Sequence, residues 1–442
     1  MVAKARRVAL ETLMKILNEG AYSNIALDNA LSSVNLKDDD KALATELVYG
    51  TLKRLVTIDM MIGRNSTTPM DKLEDIVLGI LRLSVYQLKY LDRIPDYAVV
   101  SDAVELAKEW NPRVSGFVNA VLRSISRDDS VPKFRSKLER MAYEESFPLW
   151  MVMHFSRNYK SRTQEILEGL NERPAVTYRV NTLRITRDEA LSELRSEGFS
   201  AEPTAVSPFG IIVSGGGSVA ANRFFSEGLL TVQDESSMLA APLLEPVAGG
   251  TYLDLCSAPG GKATHIAELS GDRARVLAYD IYEAKIRTIM ENADRLKLNG
   301  IEAGMHDAAE PMPEFFGIGS VLLDAPCSGL GIIRKKPDIK HTKTQEEMDG
   351  LPKLQRRLMD VAKLYVKTGG SLVYSTCTLN PSENEDNVRW FLENNPDFEA
   401  ERIKLGDHPN LIYSEEGFVT VLPTGTMDGF FLSKLVRRTS KS

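Results

Sequence analysis

The sequence predicts a multi-domain protein with an N-terminal all-α helical bundle, a small α/β module in the middle and a C-terminal α/β domain with a Rossmann-like parallel sheet. The chain has 442 residues, which is more than one ordinary hydrophobic core organises. Apolar residues recur at helical spacing near the N-terminus, whereas strand-like and helical segments alternate towards the C-terminus. These patterns divide the chain into domains at 1–130, 131–228 and 229–442.

The first domain is expected to be helical because apolar residues such as Val8, Leu13 and Ile16 follow the helical period. Prolines separate successive helical runs, at Pro69, Pro95 and Pro112. Short loops between amphipathic helices indicate a bundle. The next domain has linker helices up to Pro174, then the strand-like AVTYRVNTLRI, a helix over RDEALSELRSEG and another strand near Gly210. This second pattern predicts a small α/β module.

The third domain alternates strands with helices. Its candidate strands are TYLDLC, RVLAYD, SVLLDAP and GSLVYSTC, separated by the helical segments GKATHIAELS, YEAKIRTIMENADRLKL and LQRRLMDVAKLYVKT. Such alternation is typical of a parallel, doubly wound sheet. The last segments, GFVTVLP and GFFLSKLVRR, predict a hairpin at the edge of that sheet.

Composition and charge limit the partners of the chain. The net charge is −7, so any contact with nucleic acid must use local basic patches. No apolar run approaches the roughly 18 residues of a membrane span and the N-terminus lacks a signal peptide's apolar region, so we expect a cytoplasmic protein without membrane contact. Three cysteines without a CxxC pair and five histidines without zinc spacing argue against a disulfide framework and predict no metal site.

The segment LDLCSAPGGKATH, residues 253–265, joins a strand to a helix through a glycine-rich turn. Such a turn lets backbone N–H groups approach a ligand at the helix N-terminus. It is neither a dinucleotide fingerprint nor a P-loop, because only Gly260 and Gly261 precede Lys262. Taken alone, the turn could also be purely structural.

Acidic and sulfur-bearing residues follow the later strands. Asp280 ends RVLAYD, where an acidic residue can bind ribose hydroxyls or cap the next helix. Asp307 could contact an adenine amino group or cap a turn. Asp324 and Cys327 follow the strand in VLLDAPCSG, and Cys377 follows GGSLVYST. Because ligands of open α/β sheets bind at the carboxyl ends of the strands, these side chains are candidates for chemistry.

Basic residues closely follow the first of the two strand-end cysteines. They are Arg334, Lys335, Lys336, Lys340 and Lys343. A run of charge is often only a solvated surface, but beside a candidate site it predicts contacts with phosphates.

These motifs resemble the RNA cytosine-5 methyltransferase family, most closely its bacterial ribosomal branch of the Sun/Fmu type. LDLCSAPGGKATH resembles the family's cofactor loop, DAPCSG and STCTLNPSENE its two cysteine motifs, and RKKPDIK and VQDESS further signatures. The first 130 residues resemble a NusB-type helical RNA-binding domain, and RVNTLRITRDEAL resembles the branch's middle module. The resemblance implies a class I methyltransferase that uses S-adenosyl-L-methionine to modify a cytosine of 16S ribosomal RNA.

The resemblance also implies roles for individual residues. The cofactor contacts would be Cys256, Ser257, Ala258, Pro259, Gly260, Gly261, Lys262, Asp280, Asp307 and Asp324. Cys377 matches the nucleophile that adds to carbon 6, Cys327 matches the cysteine that helps release the product, and Asp324 faces both cofactor and base. Lys262 is a candidate source of positive charge for a thiolate. The candidate RNA contacts are Arg334, Lys335, Lys336, Lys340, Arg6 and Arg7.

Several alternatives stay open at this point. Spacing alone does not choose between Cys327 and Cys377, and DNA cytosine-5 methyltransferases use a Pro-Cys nucleophile, which would favour Cys327. The chain could instead be a catalytically idle RNA-binding assembly factor, or could act on transfer RNA or DNA. We expect a monomer whose target is a single-stranded or flipped cytosine of 16S ribosomal RNA.

Overall fold

A computed structural model describes residues 4–214 and 222–439, in two compact units. The helical unit comprises residues 1–171 and 333–343, and the sheet unit comprises residues 172–332 and 344–442. The linker helices therefore pack with the N-terminal bundle, which extends to Asn171 rather than ending near residue 130. No described helix is long and apolar enough to span a membrane.

The helical unit is a bundle of mostly amphipathic helices. They are α1 (Lys4–Glu19), α2 (Ser23–Ser33), α3 (Asp38–Asn65), α4 (Asp75–Tyr90), α5 (Asp96–Trp110), α6 (Ser115–Arg127), α7 (Lys137–Glu144), α8 (Leu149–Tyr159), α9 (Thr163–Asn171) and α15 (Ile339–Thr342). In α6 the buried residues Val118, Val121, Leu122 and Ile125 share one face, as steps of three and four residues require. The helical bundle predicted from the apolar spacing is confirmed.

Close packing of α3 against α4 depends on a glycine. A Cβ atom on Gly50 would lie 2.0 Å from Cζ of Tyr86, so a larger residue does not fit without a shift. The surrounding core is closed by apolar side chains such as Leu47 and Leu81, neither of which is exposed.

The basic segment 333–343 belongs to the helical unit, and one of its lysines is buried there. Lys340 is 2% exposed, and its ammonium donates to the backbone oxygens of Lys53 and Ser146, both at 3.1 Å, and to Asn171 Oδ1 at 2.7 Å. Three donors thus meet three acceptors. This burial contradicts the prediction that Lys340 contacts RNA.

The other candidate RNA contacts differ in exposure. Arg334 is 3% exposed, so it is also poorly placed to reach a phosphate, whereas Lys335 and Lys336 are half-buried. Acidic residues of the same unit engage Arg6 at 3.0 Å and Arg7 at 2.8 Å. Among the predicted contacts, Arg7 is the exposed residue, while Arg6, Lys335 and Lys336 are half-buried.

The sheet unit begins with a small antiparallel sheet. Its strands are β1 (Val176–Val180), β2 (Ser200–Pro203), β3 (Gly210–Ser214) and β4 (Leu230–Val232), in the order β2-β3-β1-β4. The accompanying helices are α10 (Arg187–Ser196), α11 (Arg223–Ser226) and α12 (Glu235–Met238). A capping box between Thr186 and Glu189 begins α10. Because β4 pairs with β1, this module extends beyond its predicted end at residue 228.

The large sheet follows. Its strands are β5 (Thr251–Asp254), β6 (Arg275–Asp280), β7 (Ile301–Met305), β8 (Ser320–Asp324), β9 (Ser371–Thr376), β10 (Phe398–Glu401), β11 (Leu411–Tyr413), β12 (Val419–Val421) and β13 (Phe430–Arg437). The helices are α13 (Gly261–Leu269), α14 (Glu283–Leu296), α16 (Gln345–Tyr365) and α17 (Glu385–Asn394).

Strand order confirms the predicted parallel sheet. The order is β11-β12-β13-β9-β8-β5-β6-β7, with β10 also paired to β13. Strands β5 to β9 run parallel to one another. The expected C-terminal hairpin forms between β12 and β13, but β13 also pairs antiparallel with β9 and so lies inside the sheet.

A buried arginine joins the small sheet to α13. Arg179 on β1 is fully buried and pairs with Glu268 through two hydrogen bonds, at 3.0 and 2.8 Å. It also donates to Gln233, to Thr264 and to the carbonyl oxygen of Gly261. Because Gly261 and Thr264 lie in the first turn of α13, Arg179 fixes the helix that follows the glycine-rich loop.

Replacing Arg179 by methionine should destabilise the sheet unit by about 3–5 kcal/mol, because Glu268 would stay buried without its partner. Trp390 is the only tryptophan of the sheet unit. In a background where Trp110 and Trp150 are phenylalanine, Trp390 fluorescence during urea unfolding measures this effect.

The matched control is the double variant Arg179→Met/Glu268→Leu, which leaves neither charge in the interior. It should recover most of the lost stability. Equal unfolding midpoints for the single variant and its parent would show that the ion pair does not stabilise this unit.

Candidate functional site

The parallel strands bring the predicted site residues to one edge of the large sheet. β5 ends at Asp254, β8 at Asp324 and β9 at Thr376. Asp254 lies opposite Leu322 on β8, and Asp324 lies opposite Ser375 on β9. The loops that carry the three cysteines therefore start side by side.

Two of the cysteines are in contact. The sulfur atoms of Cys327 and Cys377 lie 3.2 Å apart, and both residues are half-buried. The hydrogen bond to Cys377 raises the pKa of Cys327 well above its ordinary value, and burial and the negative charges of Glu383 and Asp324 act in the same direction. Cys327 therefore keeps its proton and can donate it towards the sulfur of Cys377.

The third cysteine has a different environment. Burial raises the pKa of Cys256, and the nearby carboxylates of Asp254, Asp324 and Asp280 raise it further. Cys256 therefore stays a thiol, which suits a wall of the site and not a nucleophile.

A lysine–aspartate pair lies beside the sulfur pair. Lys262 Nζ donates to Asp324 Oδ2 at 2.6 Å, and Ser375 Oγ donates to Asp324 Oδ1 at 2.7 Å. Burial works to lower the pKa of Lys262, but attraction to Asp324, Asp254 and Cys377 outweighs it and raises that pKa. Lys262 is therefore a cation, and its charge acts on the sulfur of Cys377.

Asp254 is an acidic residue that the sequence analysis did not select. It is 1% exposed, and among the described residues neither of its carboxyl oxygens accepts a well-formed hydrogen bond, although the Ser257 hydroxyl and the Cys256 N–H lie close enough to act to lower its pKa. Burial raises the pKa of Asp254 to about 7, while the charge of Lys262 works against that rise. Ser257 Oγ, in the adjacent loop, is likewise buried without a partner. Orphaned buried groups of this kind call for a ligand.

The glycine-rich loop folds back towards β6. Gly260 has φ +97°, and a Cβ there would lie 3.2 Å from Cα of Ile289, so both backbone shape and space favour glycine. The Ala258 N–H donates to Asp280 Oδ2 at 3.3 Å, and Lys285 pairs with Asp280 at 3.1 Å. Asp280 therefore lies against the loop.

The structure distinguishes between helix capping and turn capping as local roles of Asp280 and Asp307. Tyr282 is the N-cap of α14, so Asp280 does not cap that helix. Asp307 does cap a turn, since it accepts from the Ala309 N–H at 2.9 Å. The His306 N–H donates to the Asp280 carbonyl at 3.0 Å, which places Asp307 near Asp280 as well.

Two further residues of the site were also missed. Ser375 holds Asp324, and the fully buried Glu383 accepts hydrogen bonds from the loop of Cys327. Glu383 lies in NPSENE, six residues after Cys377, but nothing in that pattern separates it from the neighbouring acidic residues. In residues 4–214 and 222–439, no three His, Cys, Asp or Glu side chains are grouped to hold a metal ion.

Comparison with protein families divides the chain in the same order. Residues 241–436 match the 16S rRNA methyltransferase RsmB/F family. Residues 3–127 match the NusB family, and residues 147–220 match the ferredoxin-like domain of RsmF/B-like methyltransferases. The predicted NusB-like bundle, small α/β module and Rossmann-like methyltransferase domain are thereby confirmed.

Relatives match over the full chain. A probable ribosomal RNA small subunit methyltransferase B of Bacillus subtilis is 38% identical, covering 98% of each chain. A ribosomal RNA small subunit methyltransferase B of Salmonella dublin is 34% identical, again covering 98% of each.

Solved structures also match this chain over most of its length. The crystal structure of PH0851 superposes with a TM-score of 0.84 at 26% identity, covering 98% of each chain. A methyltransferase homolog from Pyrococcus horikoshii covers 69% of this chain and 100% of its own, with a TM-score of 0.61 at 26% identity. The chain therefore belongs to the ribosomal RNA small subunit methyltransferase B family of 16S rRNA methyltransferases, as its motifs predicted.

Proposed function

We propose that this protein transfers a methyl group from S-adenosyl-L-methionine to carbon 5 of one cytosine in 16S ribosomal RNA, through a covalent bond between Cys377 and carbon 6. The observation that carries the proposal is the sulfur pair, with Cys327 and Cys377 3.2 Å apart. Chance burial does not favour two cysteines on neighbouring strand ends, beside an ion pair and a cofactor-type loop.

The loop and the carboxylates fit the proposed cofactor. The orphaned oxygens of Asp254 and Ser257 can accept from its ammonium group, and Asp280 can accept from ribose hydroxyls. Asp307 follows His306, whose N–H donates to the Asp280 carbonyl, and we assign the adenine contact to Asp307. When bound, the cofactor supplies an electrophilic methyl group on a sulfonium centre.

Cys377 is the better nucleophile on this geometry. Carbon 5 of cytosine is a weak nucleophile until a thiolate adds to carbon 6 and makes carbon 5 enamine-like. Since the environment of Cys327 raises the pKa of that thiol well above its ordinary value, we assign the attack to Cys377, whose sulfur is within the influence of the Lys262 cation.

The Lys262–Asp324 pair can stabilise the charge that develops on the target cytosine during the addition. Asp324 can accept from the exocyclic amino group, and a proton from Lys262 can pass through Asp324 to ring nitrogen 3 while the Cys377 sulfur adds. When carbon 5 takes the methyl group, the proton on ring nitrogen 3 returns through Asp324 to Lys262. The carbon-5 proton then leaves to a base, the carbon–sulfur bond breaks, and its electrons return to Cys377. We assign the base role to Cys327, which first gives its thiol proton to solvent water and then takes the carbon-5 proton as a thiolate, directly or through water.

The other functions considered are less well supported. A catalytically idle assembly factor has no need of the sulfur pair or of Lys262 and Asp324. The relatives named as ribosomal RNA methyltransferases favour ribosomal RNA over transfer RNA or DNA. The target cytosine must be single-stranded or flipped to reach this edge of the sheet. Lys335, Lys336 and Arg7 remain the proposed phosphate contacts, and the monomeric state and cytoplasmic location remain predictions.

Exchange of each cysteine tests the assignment. Cys377→Ala should abolish both methylation and covalent adduct, because no sulfur remains to add to carbon 6. Cys327→Ala should still form the adduct but fail to release it, which stops turnover. Denaturing gels of a 16S rRNA transcript with tritiated cofactor measure the adduct, and calorimetric cofactor binding controls for folding. An adduct trapped by Cys377→Ala and absent from Cys327→Ala would reverse the roles.

Loss of the Lys262 charge should slow the reaction of Cys377 with iodoacetamide near neutral pH. Lys262→Met is expected to slow it about tenfold, corresponding to a charge interaction of about 1.4 kcal/mol. Mass spectrometry follows Cys377 separately from the other cysteines. The control is Lys285→Met. This variant also removes one lysine charge, but that charge pairs with Asp280. Equal alkylation rates for both variants would exclude Lys262 as the activating charge.

A further inference from the structure

A buried carboxylate lies between the two cysteine loops. Glu383 is not exposed. One of its oxygens accepts from the Ser328 N–H at 2.9 Å and from Gln355 Nε2 at 2.9 Å. The other accepts from Ser328 Oγ at 2.5 Å and from Asn380 Nδ2 at 3.0 Å. Four donors around two oxygens match an ionised carboxylate, which only accepts.

These donors come from both sides of the sulfur pair. Ser328 directly follows Cys327, and Asn380 lies three residues after Cys377. Ser328 Oγ also contacts Thr378 Oγ1 at 2.7 Å, so the loops are joined a second time. Glu383 is therefore the common acceptor that ties the loop of Cys327 to the loop of Cys377.

A helix residue completes this arrangement. Gln355, in α16, donates to the Pro326 carbonyl at 2.9 Å as well as to Glu383. Asn387 Nδ2 in turn donates to Gln355 Oε1 at 2.8 Å. The residues on both sides of Cys327 are thus held through one carboxylate, and the cysteine between them has little freedom to move away from Cys377.

We propose that Glu383 is a positioning residue, which holds Cys327 in place to release the methylated product from Cys377. The proposal rests on the proposed function, because it concerns the second half of that reaction. Among the described residues, the hydrogen bonds of the Glu383 carboxylate go to Ser328, Gln355 and Asn380 and not to the glycine-rich loop or Lys262, so we place its role in release and not in cofactor binding.

The negative charge of Glu383 has a second effect on Cys327. It is one of the charges that raise the pKa of that thiol, together with Cys377 and Asp324. Glu383 thus fixes the position of Cys327 and also helps it to keep its proton until the adduct has formed.

The test is Glu383→Gln in the full-length protein, assayed with a 16S rRNA transcript. An amide cannot accept from all four donors, so the loop of Cys327 should loosen. We expect turnover to fall between tenfold and a hundredfold, the fraction of RNA in covalent adduct to rise at least tenfold, and the affinity for S-adenosyl-L-methionine to stay within twofold. A general loss of structure would lower all three quantities and would not accumulate adduct.

The matched control is Glu385→Gln. Glu385 is a neighbouring, largely buried carboxyl group that bonds to Thr420 at 3.2 Å. This variant should form and release the adduct as the parent does. In the double variant Cys327→Ala/Glu383→Gln, the adduct should equal that of Cys327→Ala, because both changes remove the same step.

The outcomes distinguish a failure of the proposed function from a failure of the proposed role of Glu383. If Cys327→Ala traps no adduct, the proposed function itself fails. If Cys327→Ala traps adduct but Glu383→Gln turns over normally, or loses turnover without adduct, only the role of Glu383 is overturned. Should Glu383→Gln not bind the cofactor, Ser328→Ala decides, since it removes only the two contacts of the Ser328 hydroxyl, with Glu383 and Thr378, and leaves the carboxylate in place. A severalfold rise in adduct supports the proposal, and an unchanged level rejects it.

Discussion

The parallel register of β5, β8 and β9 is the constraint on which the site depends. Asp254 lies opposite Leu322, and Asp324 lies opposite Ser375, so the three strands end at one edge. A shift of one residue in β9 would turn Ser375 to the other face of the sheet and remove its hydrogen bond to Asp324. The contact between the sulfur atoms therefore follows from backbone pairing as much as from the cysteines themselves.

The electrostatic environment then differs from one ionisable side chain of the site to the next. The site gathers several carboxylates around the ammonium of Lys262, which holds its proton despite burial. Burial raises the pKa of Asp254 to about 7. Asp324 has hydrogen bonds from Lys262 and Ser375. An excess of buried negative charge favours a cationic ligand, and the sulfonium and ammonium groups of the proposed cofactor have that charge.

Much of this could be predicted from sequence because strand ends are local. Asp280, Asp324, Cys327 and Cys377 each follow an apolar run, and the parallel sheet brings such ends together. The burial of Lys340 could not be predicted, since its acceptors lie 169 to 287 residues away in the chain. Glu383 and Arg179 were missed for the same reason. A charged residue in a polar motif is normally exposed, and only the folded chain shows the donors that compensate its burial.

The sulfur pair also explains how Cys327 can keep its proton first and act as the base later in the proposed reaction. The hydrogen bond to Cys377 is the leading cause of the raised pKa of Cys327, and the charge of Cys377 adds to it. A Cys377 bound to carbon 6 is a neutral thioether, so the charge contribution disappears, the hydrogen bond weakens, and the pKa of Cys327 falls towards its ordinary value. Glu383 and Asp324 limit that fall because their charges remain. Formation of the adduct thus prepares Cys327 to lose its proton to solvent water, so that its thiolate can take the carbon-5 proton.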